Sequence, residues 1–324
     1  MSEPNRPAPT APLVAVIVLN WNNWPVTVEC LESLRRATYA QCRVLLVDNG
    51  SSDDSEKVLR ARFPDLELLQ TGANLGYAGG NNAGMRRALK LGADYLCLLN
   101  NDVVVEPDFL EPLVAAMEAD PQLGIVGGLQ CSYSDRRIIE TSGAYFNLFT
   151  GRMRNANAGE VDQGQCNQAK SVDFICGAAL LARASLALAI GLLDERFFLV
   201  AEDADWCLRA RRAGWAVRYI PGSKIYHRVA ATRESQPRTT WYYTLRNVIW
   251  LVRRHASWAQ FLVYLALYFA YFCPKVVLGR LVKGESHLMR DALRGIRDGF
   301  RTPLDDAAAA NRFAAPASSP PAGK

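Results

Sequence analysis

The stretch that decides the fold is Tyr95-Leu96-Cys97-Leu98-Leu99-Asn100-Asn101-Asp102, an apolar run that ends in two asparagines and an aspartate. The run predicts a buried parallel strand, and the carboxyl ends of such strands open onto the crevice where open α/β sheets bind ligands. There the carboxylate of Asp102 could hold a divalent cation that bridges the phosphates of a nucleotide substrate. Taken alone, the stretch equally allows a simpler role, in which residues 100–102 cap the following turn.

The same pattern occurs earlier in the chain. Residues 13–19 form a β-rich run that ends at Asn20, and residues 43–47 form a second run that ends at Asp48. A helix that starts at Pro25 separates the two runs, which predicts a βαβ unit. The alternation continues to about residue 130 and predicts a parallel sheet with helices on both faces. At the end of the second strand, Asp48 could accept hydrogen bonds from a base or a ribose.

A glycine-rich segment lies between the second of these strands and the deciding stretch. It reads Asn74-Leu75-Gly76-Tyr77-Ala78-Gly79-Gly80-Asn81-Asn82-Ala83-Gly84 and then continues as a helix. Its glycines let the backbone approach a ligand closely, and the amides at the start of a helix favour phosphate. A tight turn without a ligand is the alternative. Neither a GxGxxG after the first strand nor a P-loop is present, which excludes those two nucleotide-binding fingerprints.

Composition limits the cellular setting. Half of the 324 residues are hydrophobic, enough for one large domain or two smaller ones. The eight cysteines include no CxxC pair and are typical of free thiols in a reducing compartment. Residues 1–12 lack the features of a signal peptide, so we expect a disordered N-terminus and a cytoplasmic protein. The end of the chain, residues 302–324, is rich in Ala, Pro and Ser and predicts a disordered tail.

Basic and apolar residues concentrate in the C-terminal third. Residues 228–301 carry 13 Lys and Arg against four Asp and Glu, although the whole chain has a net charge of only +5. Such a segment favours anionic lipid or a phosphate-bearing substrate. Within it, residues 261–273 are apolar throughout but shorter than the about 20 residues that span a bilayer. We expect an interfacial membrane helix, with a buried core helix as the alternative.

Three segments together, residues 47–53, 74–84 and 98–102, resemble family 2 glycosyltransferases, inverting enzymes of GT-A fold, and most closely their rhamnosyltransferase-like branch. The resemblance implies an α/β GT-A (Rossmann-like) fold with a mixed, mainly parallel sheet flanked by helices. It divides the chain into a nucleotide-sugar-binding half (13–130), an acceptor-binding and catalytic half (131–250) and a helical, membrane-associating extension (251–301). It also implies donor contacts from Asn20, Asp48, Asn74, Gly76, Gly80, Asn82, Asn100 and Asn101.

The block that starts at Glu202 and Asp203 is similar to the acceptor-side block of the same family, which implies that Asp203 is the general base, with Glu202 beside it. A helix-capping role is the alternative for Asp203. His227 falls where family members place a metal-binding histidine, which implies a Mg²⁺ or Mn²⁺ site shared with Asp102. The family's DxD appears here as Asn100-Asn101-Asp102, so one carboxylate remains.

The segment 241–247 is also similar to this branch. It implies a contact from Arg246 to a donor or acceptor phosphate. A surface arginine near an aromatic cluster is the alternative interpretation.

The resemblance implies inverting transfer of L-rhamnose from dTDP-L-rhamnose to a hydroxyl of a cell-surface polysaccharide or a lipid-linked glycan. We expect the protein on the inner face of the cytoplasmic membrane, with peripheral membrane contact and no nucleic-acid partner. Two alternatives stay open. One is transfer of galactofuranose, glucose or N-acetylglucosamine from UDP, and the other is a non-catalytic module of the same fold that binds a glycan or a nucleotide.

Overall fold

A computed structural model describes residues 11–228, 237–275 and 289–303. The strands are β1 (Val14–Asn20), β2 (Cys42–Asp48), β3 (Glu67–Gln70), β4 (Tyr95–Asn100), β5 (Val103–Val105), β6 (Leu123–Ser132), β7 (Ile139–Thr141), β8 (Ala144–Asn147), β9 (Arg152–Asn155), β10 (Lys170–Ser171), β11 (Ala179–Arg183) and β12 (Ala216–His227). The helices are α1 (Trp24–Leu34), α2 (Ser55–Arg62), α3 (Gly76–Lys90), α4 (Glu111–Ala119), α5 (Ala184–Ile190), α6 (Glu202–Arg212), α7 (Pro237–His255), α8 (Trp258–Leu267) and α9 (Met289–Arg301).

A mixed sheet organises the described residues. Its strands follow the order β10-β12-β6-β11-β4-β1-β2-β3, with β5 paired to β12 and β7 paired to β6. Strand β1 is parallel to both β2 and β4, β2 is parallel to β3, and β6 is parallel to β12. Strand β11 runs antiparallel between β4 and β6. The predicted mixed, mainly parallel sheet is confirmed.

The register of the central strands fixes where the site forms. Asn20 of β1 lies opposite Asp48 of β2, and Leu19 lies opposite Asn100 of β4. The polar residues that end these three strands therefore share one edge of the sheet. Buried apolar side chains cover both faces, with Ile17 and Trp206 in one cluster and Val16 and Phe109 in the other. This burial on both faces explains why β1 and β4 are apolar throughout.

Two local irregularities affect the strands near residues 177 and 221. The apolar run at residues 173–181 becomes a strand only from Ala179, where β11 begins. The amide of Gly177 instead donates to the carboxylate of Asp203, so it is not available to a neighbouring strand. Pro221 lies inside a strand. Strand β12 continues to His227 with a register shift between Tyr219 and Lys224, because a bulge absorbs the irregular residues.

The C-terminal part is helical. Helix α8 begins with a capping box between Ser257 and Gln260 and continues as a short π-helix, Tyr268–Phe272. Each described helix is too short or too polar to cross a bilayer. The predictions of disorder for the two ends concern mainly residues 1–10 and 304–324, which lie outside the described residues.

Candidate active site

A cavity of about 770 Å³ opens at the carboxyl edge of the sheet. Asn100 and Asp102 reach it from the end of β4, Glu202 and Asp203 from the start of α6, and His227 from the end of β12. These residues come from three separate parts of the sequence. The fold therefore brings together both predicted catalytic residues and both predicted metal ligands.

The carboxylate of Asp203 is held by two backbone amides. Its Oδ2 accepts a hydrogen bond from the amide of Gly177 at 2.7 Å, and its Oδ1 accepts one from the amide of Ala204 at 2.7 Å. Asp203 lies in the first turn of α6, and it also lines the cavity. Burial raises the pKa of the Asp203 carboxyl, while the two amides act in the opposite direction. Asp203 is thus a fixed carboxylate facing the space where a substrate would bind.

Glu202 lies beside Asp203 in the same cavity wall. Its side chain is buried, and its Oε2 has no hydrogen-bond partner in the described part of the chain. Burial, followed by the negative charge of Asp203, raises the pKa of Glu202 well above its usual range. Two neighbouring carboxyls in this setting hold a proton more readily than free carboxylic acids do.

His227 lies between two carboxylates. Its Nε2 is 3.3 Å from Oδ1 of Asp102, and its Nδ1 is 3.1 Å from Oε2 of Glu140. Burial lowers the pKa of His227, but the two carboxylates more than offset this effect and raise the pKa to about 9. Glu140 belongs to β7 and lines the same cavity, yet no sequence pattern distinguished it within residues 131–167.

The donor atoms around Asp102 fit a divalent cation. Its buried Oδ1 lies 3.3 Å from Nε2 of His227 and has no hydrogen-bond partner among the described residues. A carboxylate oxygen and an imidazole nitrogen are suitable ligands for Mn²⁺, and the carboxylate also suits Mg²⁺. Within residues 11–228, 237–275 and 289–303, no three or more His, Cys, Asp or Glu side chains enclose a metal position on their own. A cation held here would need further oxygen ligands from a substrate.

A smaller cavity of about 170 Å³ adjoins the first. The predicted donor-binding residues Asn74, Gly76, Asn100 and Asn101 line it, and Asn100 and Asp102 line both cavities. Tyr77 also lines both, and its hydroxyl donates to the carbonyl of Gly177 at 2.6 Å.

Four other predicted donor-binding residues lie behind the described cavities. Asn20 donates to Asp48 at 2.7 Å, and both side chains are fully buried. Gly80 packs so closely on Leu19 that an added Cβ would lie 2.4 Å from a methyl carbon. Asn82 bonds both the amide and the carbonyl of Leu193. These four residues do not line the described cavities, and their contacts are with neighbouring protein groups.

The family of the chain follows from its similarity to known proteins. The sequence profile described as Glycosyl transferase family 2 matches residues 15–187, more than half of the chain. The chain belongs to glycosyl transferase family 2. The protein is therefore a glycosyltransferase, as the resemblance implied.

Two similar proteins are rhamnosyltransferases by name, in agreement with the rhamnosyltransferase-like branch of the family. The chain is 28% identical over 265 residues to N-acetylglucosaminyl-diphospho-decaprenol L-rhamnosyltransferase of Mycobacterium tuberculosis, covering 76% of this chain and 86% of the relative. It is 24% identical to the dTDP-rhamnosyl transferase RfbF of Shigella flexneri, covering 66% and 72%. A solved mannosyltransferase from Pyrobaculum calidifontis, in complex with GDP-Man and Mn²⁺, has a TM-score of 0.56 at 16% identity and covers 90% and 86%. The solved structure supports the GT-A fold alone.

The glycosyltransferase site includes a strained segment directly before Glu202. Phe198, Val200 and Ala201 have φ angles of 64°, 73° and 74°, in the left-handed region that costs a side chain with a Cβ of order 1–3 kcal/mol. Residues 198–201 also line the cavities, with Leu199 in both of those described above. A strained backbone of this kind requires surrounding contacts that hold it.

Helix α7 supplies those contacts. The side-chain amide of Asn247 donates to the carbonyls of Phe197, Leu199 and Val200 at 3.0, 2.8 and 2.7 Å. The guanidinium of Arg246 donates to the carbonyls of Arg196 and Phe197 and lies over the ring of Trp250. The structure does not bring Arg246 into the described cavities, where a phosphate contact was expected. Asn247 belongs to the segment 241–247, for which the resemblance implied a role of Arg246 alone.

A buried ionic network joins α7 to α6. Asp205 is fully buried and accepts hydrogen bonds from Arg209 and Arg254 at 2.8 and 2.9 Å, and its Oδ1 lies 2.9 Å from Nε2 of His255. Burial alone would raise the pKa of Asp205, but the charges of Arg209 and Arg254 and the hydrogen bond with His255 hold it well below its usual range. The network fixes the helix that carries Asp203 against the helix that carries Asn247.

Proposed function

We propose that the protein transfers L-rhamnose from dTDP-L-rhamnose to a hydroxyl of a lipid-linked glycan, with inversion at the anomeric carbon. The observation that carries the catalytic part is the position of Asp203, held by two amides in the cavity that also contains Asp102 and His227. The printed names of the Mycobacterium tuberculosis and Shigella flexneri relatives support rhamnose as the sugar, and the former supports a polyprenyl diphosphate as the lipid.

Asp203 would act as the general base. In the reaction, the acceptor oxygen forms a bond to the anomeric carbon, the bond from that carbon to the diphosphate oxygen breaks, and the hydroxyl proton passes to the Asp203 carboxylate. The nucleoside diphosphate leaves with the bonding electron pair. No covalent sugar–enzyme intermediate is formed, so a single displacement inverts the configuration.

Asp102 and His227 would hold a Mg²⁺ or Mn²⁺ ion, which when bound neutralises negative charge on the departing diphosphate. Glu140 would orient His227 through Nδ1, so that Nε2 faces the ion. The smaller cavity, lined by Asn74, Gly76 and Asn101, is the place for the donor nucleotide. The larger cavity then receives the acceptor. We further propose peripheral contact with the inner face of the cytoplasmic membrane.

A panel of nucleotide sugars tests the donor. Release of nucleoside diphosphate would be measured with Mn²⁺ or Mg²⁺ and a membrane lipid extract as the acceptor source, for the wild type and for Asp102→Ala. Release from dTDP-rhamnose that is lost in the variant supports the proposal. Release from UDP-sugars instead would refute rhamnose and leave the fold and mechanism in place. The absence of both release and nucleotide binding would favour the non-catalytic module.

A further inference from the structure

A second groove, of about 520 Å³, lies between β9, α7 and α8. Its lining includes Met153, Trp241, Leu245, Val248 and Phe272, which make it mainly apolar. The groove is not part of the proposed donor or catalytic sites. Apolar cavities of this size bind apolar or amphiphilic ligands whose few polar groups are matched by side chains in the wall.

The groove adjoins the catalytic cavity. Met153, Val200 and Thr240 line both spaces. A ligand in the groove can therefore extend to the cavity that contains Asp203. This connection suits an elongated acceptor with a reacting sugar at one end and a hydrocarbon chain at the other.

Two tyrosine hydroxyls in the groove wall lack partners. The side chains of Tyr264 and Tyr268 are 1% and 4% exposed, and neither hydroxyl has a hydrogen-bond partner among the described residues. Buried polar groups are normally hydrogen-bonded, because leaving one unpaired is costly. Arg152 also lines the groove and adds a positive charge. An oxygen-rich anionic group, such as a diphosphate, would accept hydrogen bonds from the two hydroxyls and pair with the charge of Arg152.

The far side of the groove meets an exposed apolar surface. Phe272 lines the groove, and the neighbouring side chains of Leu267, Phe269 and Tyr271 are 44%, 56% and 63% exposed. Clustered exposed apolar side chains favour contact with an apolar partner. A hydrocarbon chain that leaves the groove would run along this surface.

From these observations we infer that the groove binds the polyprenyl diphosphate portion of the acceptor, with the diphosphate near Arg152, Tyr264 and Tyr268 and the first isoprene units against the apolar wall. The inference rests on the proposed lipid-linked acceptor and assigns the part of the chain that recognises its lipid.

Vesicle co-sedimentation of the full chain tests the assignment without any transfer reaction. Phosphatidylcholine vesicles would contain either decaprenyl diphosphate or phosphatidylglycerol at equal negative charge. We expect about tenfold tighter binding to the decaprenyl diphosphate vesicles. Thr244→Trp, which fills the groove, should remove this difference. The matched variant Val263→Trp adds the same ring on the exposed surface of α8, outside the groove lining, and should keep it.

Equal binding of the wild type to both vesicles, or a folded Thr244→Trp that keeps the preference, would overturn the inference. If Thr244→Trp fails to fold, the double variant Tyr264→Phe, Tyr268→Phe replaces it, and an unchanged preference in that variant would count against the diphosphate contact. A chain that prefers decaprenyl diphosphate but releases no nucleotide from dTDP-rhamnose would refute the proposed donor and leave the groove assignment intact.

Discussion

The side-chain amide of Asn247 lies 2.7 Å from the carbonyl oxygen of Val200, a residue 47 positions earlier in the chain, whose φ angle is 73°. The same amide group bonds the carbonyls of Phe197 and Leu199. One side chain of α7 therefore holds the strained backbone that leads into Glu202 and Asp203. We assign Asn247 as a positioning residue for the catalytic carboxylates.

Asn247→Asp should lower kcat by about 10- to 100-fold, because a carboxylate cannot donate to the three carbonyls and small displacements of catalytic groups are costly. The KM for the donor should rise as well, because Asn247 holds the carbonyl of Leu199, which lines the smaller cavity. Steady-state kinetics separates the two parameters. Arg253→Ala is the control, because Arg253 lies on the same helix and bonds the carbonyls of Gly299 and Thr302 instead. A similar loss of kcat in both variants would assign the effect to general destabilisation of α7.

Asp203→Asn should reduce transfer by about 10²- to 10⁴-fold, because the amide cannot accept the acceptor's proton. Binding of the nucleoside diphosphate, measured by calorimetry, should be nearly unchanged. Asp135→Asn, at an exposed surface ion pair, serves as the control and should behave as the wild type. Unchanged turnover in Asp203→Asn would remove this residue from the role of base.

The pH dependence of kcat follows from the raised pKa values of Asp203 and Glu202. A general base acts in its ionised form, so kcat should fall as the pH decreases through the raised pKa of this pair. The acidic limb should therefore lie above the ordinary carboxyl range of about 4. A pH–rate profile of the wild type provides the measurement. A limb at or below pH 4 would contradict the assignment.

Glu140→Gln should raise the Mn²⁺ concentration needed for half-maximal activity by about 10- to 100-fold, because Glu140 orients the proposed ligand His227. Activity would be followed during metal titration after removal of divalent cations with a chelator. Glu67→Gln changes a surface glutamate at a different edge of the sheet and should leave the titration unaltered. An unaltered metal titration in Glu140→Gln would exclude Glu140 from this role.

Asp205→Asn should lower the free energy of unfolding by about 3–5 kcal/mol, because it removes the buried carboxylate that Arg209 and Arg254 share and leaves Arg254 with Asp194 alone as its ion-pair partner among the described contacts. Urea denaturation measures the change. The pKa of Asp205 is depressed in the folded state, so its contribution is complete above the unfolded pKa of about 4 and is lost as the pH falls below it. A loss of stability in Asp205→Asn that is unchanged at low pH would contradict the network's role.

The sequence was sufficient to predict the sheet and the strand ends around Asp102. Apolar runs that end in Asn or Asp are local features, and parallel pairing places their ends at one edge. Asp203 and His227 were predicted through family resemblance, and the fold brings both into the cavity with Asp102.

Other contacts could not be predicted, because they depend on long-range packing. Glu140 lies in a region without hydrophobic periodicity, and it becomes notable only when β7 pairs with β6 and Glu140 comes within 3.1 Å of His227. For Arg246, the sequence shows the aromatic neighbours. It does not show that the guanidinium donates hydrogen bonds to the carbonyls of Arg196 and Phe197, which lie about 50 positions earlier. For Asp48, full burial and the hydrogen bond from Asn20 also depend on tertiary structure.

The strained segment has a thermodynamic consequence. Phe198 and Leu199 line the smaller cavity, Val200 and Ala201 line the catalytic cavity, and Val200 also lines the apolar groove. A ligand in any one of these spaces contacts a backbone shared with the other two. We therefore expect the binding free energies of the two substrates to be coupled, and linkage requires the donor to change acceptor affinity by the same factor as the acceptor changes donor affinity.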